Sequence, residues 1–253
     1  MKSTPGQSDL NERSGAVEKR SSLWFTTWHA PRSAFTLIEL LVVIGIIGLL
    51  AGLIVGLTSY TARKTKESRV RAELNQIATA IEAYKARFAH YPPDNVVSRN
   101  PFLVVNPVTN SLFYELTGVL VEEDRRGGGT FRSPNRSQKF GAGMTQKYFG
   151  LDGIENAGTG AKDIKPFIQL KSTQRAVINP KSAPEPELEV LVVSVPWPLD
   201  RGDQPSPVRG LNPWRYVSTQ PTNNPATFDL WAEYVEGGKV KIICNWSKDI
   251  LEK

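Results

Sequence analysis

The stretch FTLIELLVVIGIIGLLAGLIVGLTSY, from Phe35 to Tyr60, determines how the rest of the chain is interpreted. After Glu39 no charged residue occurs until Arg63. About 20 apolar residues in a helix are enough to cross the hydrocarbon core of a bilayer. The run is longer than the apolar part of a secretory signal peptide, and it lacks a small-residue cleavage site at its far end. Residues 35–60 therefore predict one retained transmembrane helix.

Glu39 is the only charged residue of this stretch, and two compatible explanations account for it. A carboxylate costs roughly 2.5–3.5 kcal/mol near the centre of a membrane helix, although Glu39 lies only one turn from Phe35. Thr36 and Glu39 match the T-x-x-E capping box, and a negative charge in the first turn also complements the helix dipole. In the second explanation, cleavage before Phe35 creates a protonated α-amine, which pairs with Glu39 of a neighbouring copy. Because an unmatched charge in an apolar environment is costly, that pair would select the register between copies.

The sequence around the start of this helix resembles a known processing signal. Residues 33–44 (SAFTLIELLVVI), with Arg32 just before them, are similar to the cleavage and methylation signal of type IV pilins and type II secretion pseudopilins. The resemblance implies that a prepilin peptidase cleaves between Ala34 and Phe35, that the Phe35 amine is methylated, and that assembly proceeds through Glu39. The family usually has glycine before the cut, where this chain has Ala34.

The resemblance also implies an arrangement in the cell. Residues 1–34 would be the leader, the helix would cross the inner membrane once, and the C-terminal domain would lie in the periplasm. Basic residues from Arg63 to Arg71 outnumber those just before the apolar run, so the positive-inside rule alone slightly favours a cytoplasmic body. The family requires its cleavage signal to face the cytosol, and we follow the resemblance.

Glycines recur at four-residue spacing in the apolar run, at Gly48, Gly52 and Gly56. Small residues at this spacing let membrane helices approach closely, which predicts a helix-packing surface. Glycine is also simply common in membrane helices, and both explanations remain open.

A second helical pattern follows the apolar run. Apolar residues at spacings of four and three form one stripe, and charged residues such as Glu73 and Glu82 fall mostly off it. Residues 61–91 therefore predict an amphipathic continuation of the same helix, ended by Pro92 and Pro93. About three heptads are too few to favour a coiled coil, so we expect a sheet of the same chain to cover the stripe. The stripe consists of Val70, Leu74, Ile77, Ile81, Tyr84 and Phe88.

Residues 92–253 are predicted to form a loop-rich globular domain. Within them, residues 111–118 (SLFYELTG) predict a short helix that ends at its glycine, and residues 141–160 are expected to be loop-like. Residues 187–195 (ELEVLVVSV) predict a strand between prolines, and residues 196–213 predict a loop.

The C-terminal part predicts three antiparallel strands, at residues 214–217, 227–235 and 239–246. The turn signal EGG at 236–238 separates the second and third strands. The fold class is therefore α+β and pilin-like, with a long N-terminal helix packed on a small C-terminal antiparallel sheet.

A second resemblance supports this arrangement. Residues 212–216 (NPWRY) and 224–231 (NPATFDLW) are similar to the C-terminal strands of major-type pseudopilins. Those relatives often bind calcium in a late acidic loop. Here the loop after Asp229 carries Gly237 and Lys239, and no acidic cluster with calcium-ligand spacing occurs in the sequence, so no metal is assigned.

Composition and motifs argue against other function classes. The net charge of +6 is spread along the chain without a long basic block, so nucleic acid is not a predicted partner. The sequence contains no zinc-protease, serine-hydrolase or P-loop motif. His29 falls in the predicted leader, His90 stands at a helix end, and Cys244 in an apolar strand is expected to belong to the core. We therefore predict no catalytic residue and no cofactor.

The sequence is interpreted as a pseudopilin of a type II secretion system, a filament subunit and not an enzyme. Its predicted partners are the prepilin peptidase, copies of itself, other pseudopilins and the inner-membrane secretion platform. One alternative is a major or minor type IV pilin that serves adhesion, motility or DNA uptake. Another is a monomeric membrane-anchored periplasmic binding protein, which would leave the Glu39 charge unexplained. A membrane-anchored hydrolase is disfavoured because the sequence contains no hydrolase motif.

Overall fold

The structure, a computed structural model, describes residues 34–98, 104–123, 129–133, 139–160, 162–178, 187–198 and 206–253. The side chains of residues 55–59, 98 and 123 are outside this description. The chain divides into two compact units, Met1–Leu53 and Ile54–Lys253.

The described residues form an α+β fold, as the sequence predicts. In chain order the elements are α1 (Leu37–Phe88), β1 (Val96–Ser98), β2 (Val104–Val105), α2 (Leu112–Thr117), β3 (Val119–Glu123), β4 (Gly129–Arg132), β5 (Lys139–Gly141), α3 (Ala142–Phe149), β6 (Ala157–Gly158), a 3₁₀ turn (Ser172–Gln174), β7 (Arg175–Val177), β8 (Glu189–Leu191), β9 (Arg215–Val217), β10 (Asp229–Glu236), β11 (Lys239–Cys244) and β12 (Leu251–Glu252).

In the first unit, the described residues form the start of α1, and every one of them is exposed. In the second unit the same helix continues as the predicted amphipathic half and ends at Phe88. Ala89 follows with a φ of 67°, in the left-handed region that interrupts helical hydrogen bonding. The helix therefore stops a few residues before Pro92.

The apolar stripe of α1 is buried, which confirms its prediction from the spacing. It belongs to one hydrophobic cluster with side chains of β10 and β11, including Leu230, Tyr234 and Ile243. The Lys66 ammonium also lies 4.5 Å from the centre of the Tyr234 ring. The fully or nearly fully buried members of the stripe are Val70, Leu74, Ile77, Ile81 and Tyr84, and Phe88 is partly buried.

The covering sheet is antiparallel and has the order β12-β11-β10-β9. The central strand β10 pairs with β9, where Leu230 faces Tyr216, and with β11, where Ala232 faces Ile243. Gly237 and Gly238 both have positive φ and form the tight turn between β10 and β11. The three predicted strands are confirmed, and the structure adds β12 at the C-terminal edge.

The far end of the stripe is covered differently from the prediction. The Tyr84 ring lies 5.6 Å from the Phe167 ring, and its hydroxyl group reaches Glu115 on α2. Helix α2 follows Ser111 and ends at Gly118, whose φ of 79° suits a residue without a side chain, so the predicted short helix is confirmed. The C-terminal sheet thus shares the covering of α1 with α2 and with the segment around Phe167.

Two predictions for the middle of the chain need correction. Residues 141–160 were expected to be loop-like, but they include α3, which ends at Gly150 with a φ of 68°. The glycines of this segment lower its helix propensity, and burial of Phe149 compensates. The strand expected over 187–195 is only three residues long in β8, where it pairs with β7. Beyond β8 the chain meets the segment before β9: the Val193 amide donates to the Asn212 carbonyl group, and the Trp214 amide donates to the Leu191 carbonyl group.

A second, mixed sheet completes the body and was not predicted. Its order is β5-β4-β3-β6, with β6 parallel to β3 and the other pairs antiparallel. Two short antiparallel pairs, β1-β2 and β7-β8, form separate two-stranded sheets.

The environment of the Glu73 side chain also differs from the prediction. The helical spacing placed it off the stripe with the exposed charges, but the side chain is buried and its Oε2 accepts a hydrogen bond of 3.2 Å from the Ser194 amide. The segment after β8 covers this flank of α1, which the helix pattern alone does not reveal.

Candidate functional site

The first turn of α1 has the geometry of a capping box. The Thr36 amide and hydroxyl groups donate hydrogen bonds to Oε2 of Glu39 at 2.9 and 2.8 Å. In return, the Glu39 amide donates to the Thr36 hydroxyl oxygen at 3.3 Å. The two side chains thus satisfy amide groups that have no partner within a helix, and they stabilise the helix start.

The Glu39 carboxylate nevertheless keeps capacity for another partner. Its hydrogen bonds with the described residues all end on Oε2, and Oε1 accepts none from that part of the chain. Glu39 is exposed, as are Ala34 and Phe35 on either side of the predicted cleavage point, with Phe35 75% exposed. A charged donor from outside the chain can therefore reach the carboxylate.

The helix surface around Glu39 is apolar and fully exposed in the described structure. Residues Leu37–Ile54 have a mean hydropathy of 2.8, and none of them is buried within the described structure. This is the one described helix that is long and apolar enough to cross a membrane. Its exposed apolar side chains need either lipid or other protein around them, because water solvates them poorly.

The predicted packing glycines lie on this bare helix. A side chain built on Gly48 or Gly52 would meet no atom of the described residues within 4 Å, and the same holds for Gly45. Space is therefore open at these positions for a neighbouring helix. Gly56 lies in α1, but its surroundings are outside the description, as are residues 1–33 of the predicted leader.

A polar network lies at the other end of α1, buried at Tyr84 and Glu115 and exposed at Glu155 and His90, and sequence reasoning missed it. The Tyr84 hydroxyl lies 3.0 Å from Oε2 of Glu115 and 3.1 Å from Oε2 of Glu155. The amides of Glu155 and Asn156 donate to the Glu115 carboxylate at 3.1 Å each. His90 completes the network through Nε2, which lies 3.0 Å from Oε1 of Glu155.

The network changes the acid–base properties of its members. Burial raises the pKa of the Glu115 carboxyl above its usual range, against the hydrogen bonds that favour its charged form. The backbone carbonyl of Tyr91 and the carboxylate of Glu155 raise the pKa of His90. Each group is hydrogen-bonded to at least one other member, so the network ties α1, α2 and the segment that precedes β6 together.

Within the described part of the chain, the other chemically capable side chains do not form a reactive cluster. Cys244 is a buried free cysteine in β11, and burial raises the pKa of its thiol, which disfavours the nucleophilic thiolate. Among the described residues, no group of three or more His, Cys, Asp or Glu side chains has an arrangement that could hold a metal ion.

Comparison with known proteins identifies the first part of this site. The prokaryotic N-terminal methylation motif matches residues 30–55, which include the predicted cleavage point, Glu39 and the apolar helix. No curated protein and no solved structure matches the chain.

The motif and the hydrophobic helix are consistent with a type IV pilin-like protein. They support a pilin-like or pseudopilin subunit with a single-pass inner-membrane anchor, processed by a prepilin peptidase and assembled with pilin-like subunits. Proteins of this kind are structural filament subunits and not enzymes.

Proposed function

We propose that the chain is a pseudopilin of a type II secretion system. A prepilin peptidase removes residues 1–34 by cleavage between Ala34 and Phe35, and the new Phe35 amine is methylated. Residues 35–60 then anchor the chain in the inner membrane, residues 61–91 continue the helix, and residues 92–253 form the periplasmic domain. Copies of the chain and other pseudopilins assemble on the inner-membrane secretion platform into a periplasmic pseudopilus.

The observation that carries this proposal is the isolated Glu39 carboxylate on a bare apolar helix. One oxygen is held by Thr36 of the same chain, while Oε1 has no partner among the described residues. The methylated Phe35 amine of a neighbouring copy is a cation of suitable size to pair with it. Because lipid solvates an unpaired charge poorly, the pair favours the assembled state and one register between helices.

The open space beside the glycines supports the same proposal. Gly48 and Gly52 leave room for a second helix to approach α1 closely, as small residues do at other membrane-helix interfaces. Gly56 extends the same spacing in the sequence.

The choice of secretion over a pilus rests on the C-terminal strands. The residues similar to major-type pseudopilins lie in and just before β9 and β10, where Trp214, Phe228 and Leu230 are buried. These residues therefore build the body of the subunit, and their similarity favours the pseudopilin.

Processing is the first test of this proposal. In cells with an active prepilin peptidase, mass spectrometry of membrane protein should find a peptide that begins with N-methylated Phe35. Peptides that cross the Ala34–Phe35 bond should appear instead when the peptidase gene is deleted. An intact leader as the dominant species in peptidase-positive cells would contradict the proposal.

A deletion of the gene then separates the two filament systems. A pseudopilin predicts loss of exported proteins from the culture medium, with surface filaments unchanged. Loss of surface filaments with normal export would instead identify a type IV pilin. Normal export, normal filaments and an unprocessed chain would favour a monomeric anchored protein.

A further inference from the structure

A groove of about 550 Å³ lies beside α1 just after its apolar window. Its apolar lining includes Ile54, the last residue of that window, together with Ala62 and the buried Val195. Lys66 and Arg69 also line it and bring two positive charges to an otherwise largely apolar surface. The groove therefore combines an apolar wall with cations, which suits an amphipathic anion.

The helix segment that forms this groove has a strong excess of positive charge. Between residues 61 and 71 the sequence has five basic residues and a single acidic one, Glu67. Glu67 is already paired with Lys64 at 3.4 Å. Arg71 donates to the carbonyl groups of Ser247 and Lys248.

The remaining cations have no anionic partner among the described residues. Arg63 and Arg69 are exposed and make no hydrogen bond or ion pair with that part of the chain, and Lys66 contacts only the face of the Tyr234 ring. These cations are therefore available to an anion from outside the described part of the chain.

The position of these cations along α1 matches the headgroup layer of a membrane. The uncharged residues 40–62 extend about 34 Å along a helix at 1.5 Å per residue. A bilayer has a hydrocarbon core about 30 Å thick and is about 40–45 Å thick with its headgroups. When that run fills the core, Arg63 lies at its edge. Lys66 and Arg69 then lie about 5 and 9 Å further along the axis, at the level of the phosphate groups.

We propose that this groove binds the anionic headgroup of a phospholipid in the membrane that anchors the chain. Lys66 and Arg69 contact the phosphate, and the apolar wall at Ile54, Ala62 and Val195 lies against the upper part of an acyl chain. The inference rests on the membrane anchorage in the proposed function. It assigns the juxtamembrane cations a role in holding the subunit before assembly.

A second copy of the chain suits this groove less well. Copies anchored in the same membrane place the same five basic residues at the same depth, so their charges repel and are not neutralised. A phospholipid with net negative charge supplies the missing anion and is already present at that depth.

Native mass spectrometry can test the proposal on the full-length protein in detergent, titrated with phosphatidylglycerol or phosphatidylcholine. We expect the wild-type protein to retain phosphatidylglycerol at a concentration at least several-fold below that needed for phosphatidylcholine. The double variant Lys66→Gln/Arg69→Gln should weaken phosphatidylglycerol binding by about 10- to 30-fold, because two cations near an anionic headgroup are lost. Phosphatidylcholine binding should change little.

The matched control is Lys162→Gln/Arg209→Gln, which removes one lysine and one arginine at exposed positions of the body. It should bind both lipids like the wild type. Because Lys66 also contacts Tyr234, the single variant Arg69→Gln keeps the test valid if the double variant is unstable, and it should lose several-fold in phosphatidylglycerol affinity.

Three outcomes would overturn the proposal. Equal phosphatidylglycerol affinity of the wild type and Arg69→Gln would show that the groove cations do not bind the headgroup. Displacement of the lipid by an equal concentration of inorganic phosphate would indicate a site for a free anion. A change confined to self-association, with lipid binding unchanged, would assign the groove to a second copy.

The experiment is independent of filament assembly and secretion. The lipid titration uses the helix and the groove, which are present before and after cleavage at Phe35. Loss of selectivity for phosphatidylglycerol would leave the proposed pseudopilin function intact. Conversely, normal selectivity without Phe35 methylation would contradict the proposed function alone.

Discussion

The hydroxyl group of Tyr84 on α1 lies 3.0 Å from Oε2 of Glu115 on α2, and both side chains are fully buried. Two backbone amides, from Glu155 and Asn156, reach the same carboxylate. Glu115 thus joins the C-terminal end of the long helix to two other parts of the body. Because a buried carboxylate without donors is costly, these contacts hold the three parts in one arrangement.

We therefore expect Tyr84→Phe to destabilise the body by about 1–3 kcal/mol, the usual range when a buried charged acceptor loses a donor. Urea unfolding of the fragment Arg63–Lys253 measures this change. Tyr91→Phe is the matched control, since the Tyr91 hydroxyl donates to the exposed Glu82 and accepts from the Lys85 ammonium, both outside the Glu115 contact. Its effect should stay within about 0.5 kcal/mol. Equal losses in the two variants would contradict a special role for the Glu115 contact.

Substitutions in the apolar stripe of α1 test whether the helix packs on the body. Ile81 is fully buried, so Ile81→Ala should cost about 2–5 kcal/mol and lower the melting temperature of the same fragment sharply. Glu82→Ala changes the neighbouring exposed position and should cost only about 0–1 kcal/mol. If both variants melted at the same temperature, the helix would not be packed on the body.

Glu73 provides a further test of the same interface. The helix pattern alone predicts a neutral effect for Glu73→Ala, but the structure buries this side chain against the Ser194 amide. Removal of the acceptor should cost about 1–3 kcal/mol. Glu73→Gln keeps an acceptor oxygen and should lose less. A neutral Glu73→Ala, measured by urea unfolding, would support the sequence pattern over the structure.

The two explanations of Glu39 can be separated by two substitutions. Glu39→Val removes the charge and the cap, whereas Thr36→Ala removes most of the cap and keeps the charge. If Glu39 pairs with the amine of a neighbour, Glu39→Val should insert into the membrane but fail to assemble, and Thr36→Ala should still assemble. Crosslinking of the processed full-length chains in cells measures assembly. Equal defects in both variants would favour the capping role alone.

Glu39→Asp refines this comparison. The shorter side chain keeps the charge but reaches less far, so we expect intermediate crosslinking yields. Glu39→Val multimers as abundant as those of the wild type would exclude the proposed pairing between subunits.

The stability of the body should also depend on pH through His90. The folded-state pKa of His90 is raised, chiefly by the Tyr91 carbonyl and further by Glu155. A raised pKa contributes stability that is complete below the unfolded value of about 6.5 and is lost as the pH rises through the folded value. The urea concentration at the midpoint of unfolding should therefore be higher for the wild type than for His90→Gln at pH 5.5. The difference between the two proteins should be smaller at pH 8.5. A difference that does not vary with pH would contradict this assignment.

The features of the site and the fold that could be predicted involve residues that lie close together in the sequence. Thr36 and Glu39 are three residues apart, and the capping box that their spacing predicts is present in the structure. The stripe from Val70 to Phe88 follows from the period of one helix, and the turn at Gly237 and Gly238 follows from backbone freedom. Local geometry controls each of these features.

The features missed by the sequence analysis join distant positions. Glu115 meets Tyr84 across 31 residues, and Ser194 meets Glu73 across 121 residues. Propensity also misjudged α3, since Gly143 within it and the glycines at both of its ends disfavour a helix, while burial of Thr145 and Phe149 offsets that cost.

The sequence by itself determined the apolar helix, its capped carboxylate and the face of its continuation that is buried, because helical period and charge are properties of neighbouring residues. Only the tertiary structure decided what covers that face: side chains of the C-terminal sheet that share its hydrophobic cluster, and α2 with the Phe167 segment around Tyr84. It also decided that Glu73 is buried while Arg69 is exposed. The physical reason is that burial depends on which distant segments come together, and the periodicity of one helix carries no information about its partners.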